Sequence, residues 1–201
     1  MITVFMRIDQ IMIKEMLGEK AVGIYAAAIP ISQIWSVIPS MLATSLAPFV
    51  ARKMAQDKNK YEEDIVSIFR YFAIFALSVA IVTSFASPWI IKTMYGPRYE
   101  FSAVILSTHV FVNIFIFQGI AQDLWIVNNT VRSVTLVSSI IAAIIGIFLN
   151  LKLIRIFGPL GAVFSTILTA GVSVTLIPCL LRRDLFNLYK RAFLGIGNTK
   201  R

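Results

Sequence analysis

The 201-residue sequence contains a single cysteine, Cys179, and a single histidine, His109. One cysteine excludes a framework of disulfides within the chain, and one histidine with one cysteine cannot complete a structural zinc site. Charged residues make up only 14% of the chain, whereas soluble domains carry about 25%. We therefore expect no metal site and no cofactor, and the low charge content argues against a soluble fold.

Sequence patterns typical of enzymes are also missing. The chain has no pair of carboxylates at workable spacing on one helix face, no glycine-rich phosphate loop and no nucleophile elbow. Its formal net charge of +9 is not arranged as a basic patch interleaved with aromatic residues, which argues against a nucleic-acid partner. The sequence therefore predicts neither an enzyme nor a nucleic-acid-binding protein.

Apolar residues dominate, at 58% of the chain with a mean hydropathy of +0.80. A helix needs about 20 apolar residues to cross the hydrocarbon core of a bilayer. Five stretches reach that length, and residues 1–17 resemble the end of a further span whose beginning is absent. The sequence predicts an all-α polytopic membrane protein in which residues 1–194 form one lobe, with spans at about 1–17 (partial), 21–50, 65–91, 101–127, 134–154 and 160–181.

The distribution of Lys and Arg predicts the orientation of the chain. Twelve of these residues lie in the segments that follow the second, fourth and sixth spans, on one predicted side of the membrane. Six lie on the opposite side. Because cytoplasmic segments accumulate positive charge, we expect the C-terminus in the cytoplasm. The pattern of residues 184–194 predicts an amphipathic helix that lies on anionic membrane lipids or packs on the bundle. Residues 195–201 are predicted to form a disordered tail.

Charged residues at membrane depth are the strongest indication of function. On one helix Arg7, Gln10 and Lys14 fall within about 60° of each other, while Asp9 points away. A face with two cations would bind a diphosphate or another anionic headgroup. The alternative is that Lys14 extends to the interface and Arg7 pairs with an acid on a neighbouring span. In the first reading, Arg7, Asp9, Gln10 and Lys14 are candidate substrate-binding residues.

A second polar face is predicted in the span at 101–127. On an unbroken helix His109, Asn113 and Asp123 lie within about 80° of each other, although His109 and Asp123 are about 21 Å apart along the axis. Asn113 is a further candidate substrate-binding residue. A histidine at membrane depth can carry protons, so His109 and Asp123 are candidate coupling groups. The alternative for His109 is a hydrogen bond between helices.

Two further patterns concern helix shape and packing. Pro30, Pro39 and Pro48 fall in one span, and such helices are often broken in transporters. Small residues recur every four positions in the last span, a spacing that allows close approach of helices and that we attribute to packing: Gly161, Ser165, Thr169 and Ser173.

The order of these segments resembles the second half of a Wzx-type polysaccharide flippase of the MOP superfamily. The likeness is carried by RIDQIMIKEMLGEKAVGIYAAA, ISQIWSVIPSMLATSLAPF, WIIKTMYGPRYEFSAVIL, WIVNNTVRSVTLVSSIIAAIIGIFLNLKLI and FGPLGAVFSTIL. The resemblance implies that the chain corresponds to spans seven to twelve, the C-terminal six-helix lobe of a MOP/MATE-like transporter. It also implies that the charges of the RIDQ segment lie in a central cavity.

The resemblance implies a role in lipopolysaccharide O-antigen or other surface polysaccharide biosynthesis. Such a flippase moves an undecaprenyl-diphosphate-linked oligosaccharide across the bacterial plasma membrane, and a missing N-terminal lobe would be its partner. We therefore expect the 201 residues alone neither to fold stably nor to transport. Two alternatives are a cation-coupled multidrug exporter of the same fold and a non-transporting, truncated or structural membrane protein. A membrane glycosyltransferase is disfavoured, because no large exported loop is present.

Overall fold

The computed structural model describes residues 8–129 and 132–194, which form helices and short connections without any β-strand. The predicted all-α class is confirmed. The helices are α1 (Ile8–Leu17), α2 (Glu19–Gln33), α3 (Val37–Gln56), α4 (Lys58–Tyr95), α5 (Glu100–His109), α6 (Val112–Asn128), α7 (Arg132–Phe157), α8 (Pro159–Gly171), α9 (Ile177–Leu181) and α10 (Arg183–Leu194).

Several of these helices are long and apolar enough to cross a membrane. Four continuous helical runs meet the test: Glu19–Gln56, Lys58–Tyr95, Ser133–Phe157 and Pro159–Leu181. The bent pair Pro97–His109 and Val112–Val127 gives a fifth span if it is counted as one. The chain is therefore a multi-pass membrane protein. The tail at 195–201 and the candidate residue Arg7 lie outside the described residues.

Local sequence signals set the ends of the long helices. The Asp57 carboxylate accepts hydrogen bonds from the backbone N–H groups of Asn59 and Lys60 and so caps the start of α4, an arrangement that lowers the pKa of Asp57 below its usual value. Gly96 ends α4 with a φ of 80°, and Gly158 separates α7 from α8 with a φ of 62°. Glycine adopts this left-handed conformation without steric cost, so both chain reversals are encoded locally.

Two hydrophobic cores lie at opposite ends of the bundle. The α1-side core joins α1, α2, α5 and α8 through buried residues such as Ile13, Ala28, Leu106 and Ala162. The α10-side core joins α3, α6 and α10 with the first half of α4, for example through Val50, Phe69, Phe117 and Leu185. A small third cluster of Val79, Ala80 and Val110 lies between them. The bundle is therefore packed as two halves rather than around one centre.

Three of the spans are interrupted part-way along. A 3-10 turn at Ile34–Ser36 separates α2 from α3, and a π-turn at Val172–Leu176 separates α8 from α9. The span at 101–127 bends by 42° between α5 and α6. The assumption of an unbroken helix from His109 to Asp123 is therefore wrong, because the angles calculated for it do not hold across the bend.

The helices α7 and α8 approach each other so closely at Gly161 that no larger residue fits there. A Cβ atom added to Gly161 would lie 2.0 Å from the backbone oxygen of Leu153, and one added to Gly146 would lie 3.3 Å from the side chain of Thr169. The small-residue spacing in the last span thus serves packing, as the sequence indicates. The same face has a second role, because Ser165, Thr169 and Ser173 also line a cavity.

The amphipathic helix α10 packs on the bundle with its apolar stripe. Leu185, Leu188, Tyr189 and Ala192 are buried, and the Tyr189 ring meets Phe69 of α4 edge-on at 5.1 Å. Arg191 reinforces this contact with an ion pair to Glu62 at 2.7 Å. These four residues of the stripe therefore contact the bundle, whereas Phe193 of the same stripe is 52% exposed, and contact of the helix with lipid stays a prediction.

We predict that Gly161→Ala destabilises the protein by about 3 kcal/mol, because the new methyl group overlaps backbone that cannot move away. The free energy of unfolding in mixed detergent micelles measures this loss. Gly23→Ala is the matched control, since an added Cβ there meets nothing within 4 Å. It should be neutral or stabilising by up to about 1 kcal/mol. Equal stability of the two variants would contradict the packing described for α7 and α8.

Candidate functional site

A cavity of about 450 Å³ opens between α1, α7 and α8 at the depth where the spans are interrupted. Four different helices each contribute a long polar side chain to its wall: Asp9, Gln33, His109 and Asn150. Hydroxyl groups from α8 and the π-turn complete the polar lining: Ser165, Thr166, Thr169 and Ser173. A polar cavity surrounded by apolar helices is the arrangement expected of a binding site within a membrane protein.

Asp9 is held in the cavity wall by Tyr25. The Tyr25 hydroxyl donates a hydrogen bond to the Asp9 carboxylate at 2.5 Å, and the backbone N–H of Gln10 donates a second one at 2.9 Å. The Tyr25 side chain is fully buried, so its hydroxyl depends on this partner. Tyr25 therefore fixes the orientation of the one carboxylate among the described cavity-lining residues.

His109 is the cavity-lining member of a second polar cluster, whose other members, Ser32 and the candidate residue Asn113, are fully buried and do not line the cavity. The Nδ1 atom of His109 lies 2.9 Å from the hydroxyl of Ser32, and its ring meets the Tyr25 ring edge-on with centroids 6.5 Å apart. Asn113 donates from Nδ2 to the backbone oxygen of Ser32 at 2.9 Å. Tyr25 and Ser32 thus link Asp9, His109 and Asn113, which lie on three different helices, into one cluster.

Two oxygen atoms among the cavity-lining residues have no hydrogen-bond partner within the described part of the chain. They are Oδ1 of Asn150 and Oγ1 of Thr169, and Asn150 is only 5% exposed. A buried polar atom without a partner costs about 1–3 kcal/mol. Both oxygens are buried within the wall, so the wall itself holds unused hydrogen-bond acceptors.

The remaining candidate residues are not brought to the cavity. Lys14 is exposed at the end of α1, forms an ion pair with Glu19 at 3.6 Å and does not line the cavity. Gln10 is partly buried but does not line the cavity. Asp123 is exposed on α6, away from the cavity wall. Within the described residues, the cavity therefore lacks the cationic face that the sequence suggests.

A second opening of about 680 Å³ lies between α10 and the adjoining ends of α4 and α6. Its walls include Lys58, Tyr61, Glu62, Asn187 and Arg191. The Glu62–Arg191 ion pair occupies part of its charged surface. None of the predicted site residues lines it, so we treat the membrane-embedded cavity as the candidate site.

The family of the chain can be stated once this geometry is known. A profile described as polysaccharide biosynthesis protein matches residues 1–104, which is more than half of the chain. The chain belongs to the polysaccharide biosynthesis protein family. No curated protein and no solved structure matches it.

The residues matched by the family profile include only part of the candidate site. Asp9, Tyr25, Ser32 and Gln33 fall within the matched residues, whereas His109 and Asn150 lie beyond them. The cavity of this polysaccharide biosynthesis protein is therefore assembled from both sides of the matched boundary. Tyr25 and Ser32 were not among the candidates from the sequence, because an ordinary tyrosine and serine in an apolar stretch carry no signal of their partners.

We predict that Tyr25→Phe lowers the free energy of unfolding by about 2 kcal/mol, because the Asp9 carboxylate loses its side-chain donor. Tyr71→Phe is the matched control, since Tyr71 is 70% exposed on the outer face of α4, and it should change stability by less than about 0.5 kcal/mol. A double-mutant cycle with Asp9→Ala should show that the two losses are not additive. Full additivity would contradict the contact between Tyr25 and Asp9.

Proposed function

We propose that the chain is one lobe of a flippase for lipid-linked oligosaccharides in the bacterial plasma membrane. The observation that carries this proposal is the polar cavity within the apolar helices of a polysaccharide biosynthesis protein. A sugar linked to a lipid by a diphosphate cannot cross hydrocarbon unaided, because its hydroxyl and phosphate groups would lose their hydrogen bonds to water. A polar cavity in the bundle replaces those partners while the polyprenyl tail stays in the lipid.

The size of the cavity supports a second lobe. Pockets of about 300–1,000 Å³ enclose a ligand of drug size, and this cavity measures about 450 Å³. That space suits one or two sugar units rather than a complete oligosaccharide with its diphosphate. In this proposal a facing N-terminal lobe supplies the rest of the cavity, and the chain works as a carrier rather than as an enzyme.

The lining suggests roles for individual residues. Asn150, Gln33 and the α8 hydroxyls provide donors and acceptors for sugar hydroxyl groups. Arg7, which precedes the described residues, is proposed to approach the diphosphate, as the resemblance to Wzx-type flippases implies. His109 is proposed as a coupling group because it faces the cavity. Asp123 could contribute only from outside the cavity.

The orientation of the lobe is also a proposal. The excess of Lys and Arg beside α10 and the α3–α4 connection favours a cytoplasmic C-terminus. The buried stripe and the ion pair of α10 would then close the cytoplasmic end of the bundle.

A cation-coupled multidrug exporter of the same fold is the second candidate. It is favoured by one observation, the carboxylate of Asp9 that faces the cavity beside His109. An acid in a membrane cavity is suited to bind a proton, a metal cation or a cationic drug.

The two candidates predict different phenotypes in a flippase-deficient bacterium. We predict that the chain, expressed with any segment encoded directly upstream, restores surface polysaccharide and that Asn150→Leu or Asp9→Asn reduces it at least about tenfold, since each removes a polar contact in the cavity. Glu63→Gln is the matched control for Asp9→Asn, because Glu63 is exposed on α4 outside the cavity. Immunoblots of the surface polysaccharide and of the protein provide the measurement.

Full activity of both cavity variants would contradict the assignment of the site. Drug resistance without any polysaccharide would favour the exporter instead. Reading the upstream DNA for about six further apolar spans, as a joined or adjacent coding segment, tests the proposed second lobe separately.

A further inference from the structure

The opening of about 680 Å³ beside α10 is lined by two acids, and an arginine already holds each of them. Glu62 of α4 pairs with Arg191 of α10 at 2.7 Å, and Asp184 pairs with Arg182 at 3.2 Å. A guanidinium group has five N–H donors, and the contact with Glu62 uses one nitrogen of Arg191. The two acids are thus neutralised in pairs, and Arg191 keeps donors for another partner.

Two lysines on different helices line the same opening. Lys58 is the first residue of α4, Lys190 lies on α10, and both are exposed. Neither lysine forms an ion pair within residues 8–129 and 132–194. The opening therefore holds two uncompensated positive charges, and ammonium groups are common partners of phosphate.

The opening lies at the level where the apolar parts of the spans end. Trp125 in its wall precedes the end of the apolar segment Val112–Val127 by two residues, and Tyr61 lies at the start of the span Lys58–Tyr95. Trp and Tyr side chains are enriched at the level of the lipid headgroups, where one end of the ring is apolar and the other is hydrated. We therefore expect lipid headgroups beside the two lysines.

Exposed aromatic rings lie next to the opening on α10. At 100° per residue, Lys190 lies between Asn187, which lines the opening, and the two rings of Phe186 and Phe193. These rings are 54% and 52% exposed. A lipid can contact both features, with its headgroup at the lysine and an acyl chain along the rings. A soluble phosphate compound would leave the rings uncovered.

We propose that this second opening binds the phosphate of an anionic membrane lipid between α4 and α10. Lys58 and Lys190 contact the phosphate oxygens, Asn187 donates an uncharged hydrogen bond, and an acyl chain follows Phe186 and Phe193. Because the two lysines lie on different helices, the lipid ties α10 to α4. The site is separate from the candidate cavity and does not depend on the proposed function.

Native mass spectrometry of the full chain in a neutral detergent counts bound lipids one molecule at a time. Phosphatidylglycerol should bind at least about tenfold more tightly than zwitterionic phosphatidylcholine of the same chain length. Lys58→Gln combined with Lys190→Gln should weaken phosphatidylglycerol binding about thirtyfold, because each basic residue near an anionic headgroup contributes about fivefold. Undiminished binding by this double variant would overturn the site.

The matched control is Arg52→Gln combined with Lys60→Gln. It removes the same charge from the same end of the bundle, but both residues are exposed and neither lines the opening. Charges outside the site are screened by salt, so the control should bind phosphatidylglycerol within about twofold of the unmodified protein. Equal losses in the two double variants would show a diffuse attraction to charge and would refute a defined site.

A third arm separates a lipid from a soluble phosphate compound. Glycerol 3-phosphate, which has no acyl chain, should bind at least about tenfold more weakly than phosphatidylglycerol, since it buries no apolar surface. Phe186→Ala should weaken the lipid about threefold, whereas Phe85→Ala, at an 84% exposed ring on α4, should not. Tight binding of glycerol 3-phosphate without any effect of Phe186 would contradict the lipid. No oligosaccharide is involved, so failure of the polysaccharide assay leaves this result unaffected.

Discussion

The exclusion of water from the bilayer is the constraint on which the rest of this structure depends. Every polar group in the spans must find a partner within the protein, because an unpaired one costs about 1–3 kcal/mol. Hydroxyl groups on outward-facing surfaces meet this requirement within their own helix. Ser40 bonds the oxygen of Ser36 at 2.7 Å, and Thr44 bonds the oxygen of Ser40 at 2.9 Å. Such residues are polar in sequence but donate their hydroxyl hydrogen within the helix, so the polar character of α3 by itself is not a functional signal.

Three of the cavity residues, Asp9, His109 and Asn150, differ from these hydroxyls because their side-chain partners come from other helices or are missing. Asp9 depends on Tyr25 of α2, and His109 depends on Ser32, so that both candidate groups are oriented by a helix other than their own. The Asn150 oxygen is left without a partner in the described residues. Low dielectric makes paired groups rigid and unpaired groups costly, which is why polar atoms concentrated at one depth indicate a site rather than packing.

Much of the fold could be predicted from the sequence because apolar length and helix-breaking residues act locally. The five long stretches correspond to helical segments, although three of them are interrupted, and Gly96 and Gly158 end helices locally. The cavity was predicted only in part. Asp9 and His109 were found because a charge or a histidine is rare at membrane depth. Tyr25 and Ser32 were missed, since their partners are 16 and 77 residues away in sequence. Lys14 was misleading, because one helical turn separates a cavity-facing residue from an interfacial one.

The position of the helix breaks follows from the same constraint as the cavity. Irregular backbone at membrane depth is tolerated only where it is buried in protein or lines a polar cavity. The 3-10 turn, the α5–α6 bend and the π-turn meet this condition, because each has residues at the cavity wall or in the buried cluster beside it. On the lipid-facing surfaces of α4 and α7, the same irregularities would expose unpaired carbonyl groups to hydrocarbon. The helices α4 and α7 remain continuous, and the cavity forms where α1 and α7 meet the interrupted spans.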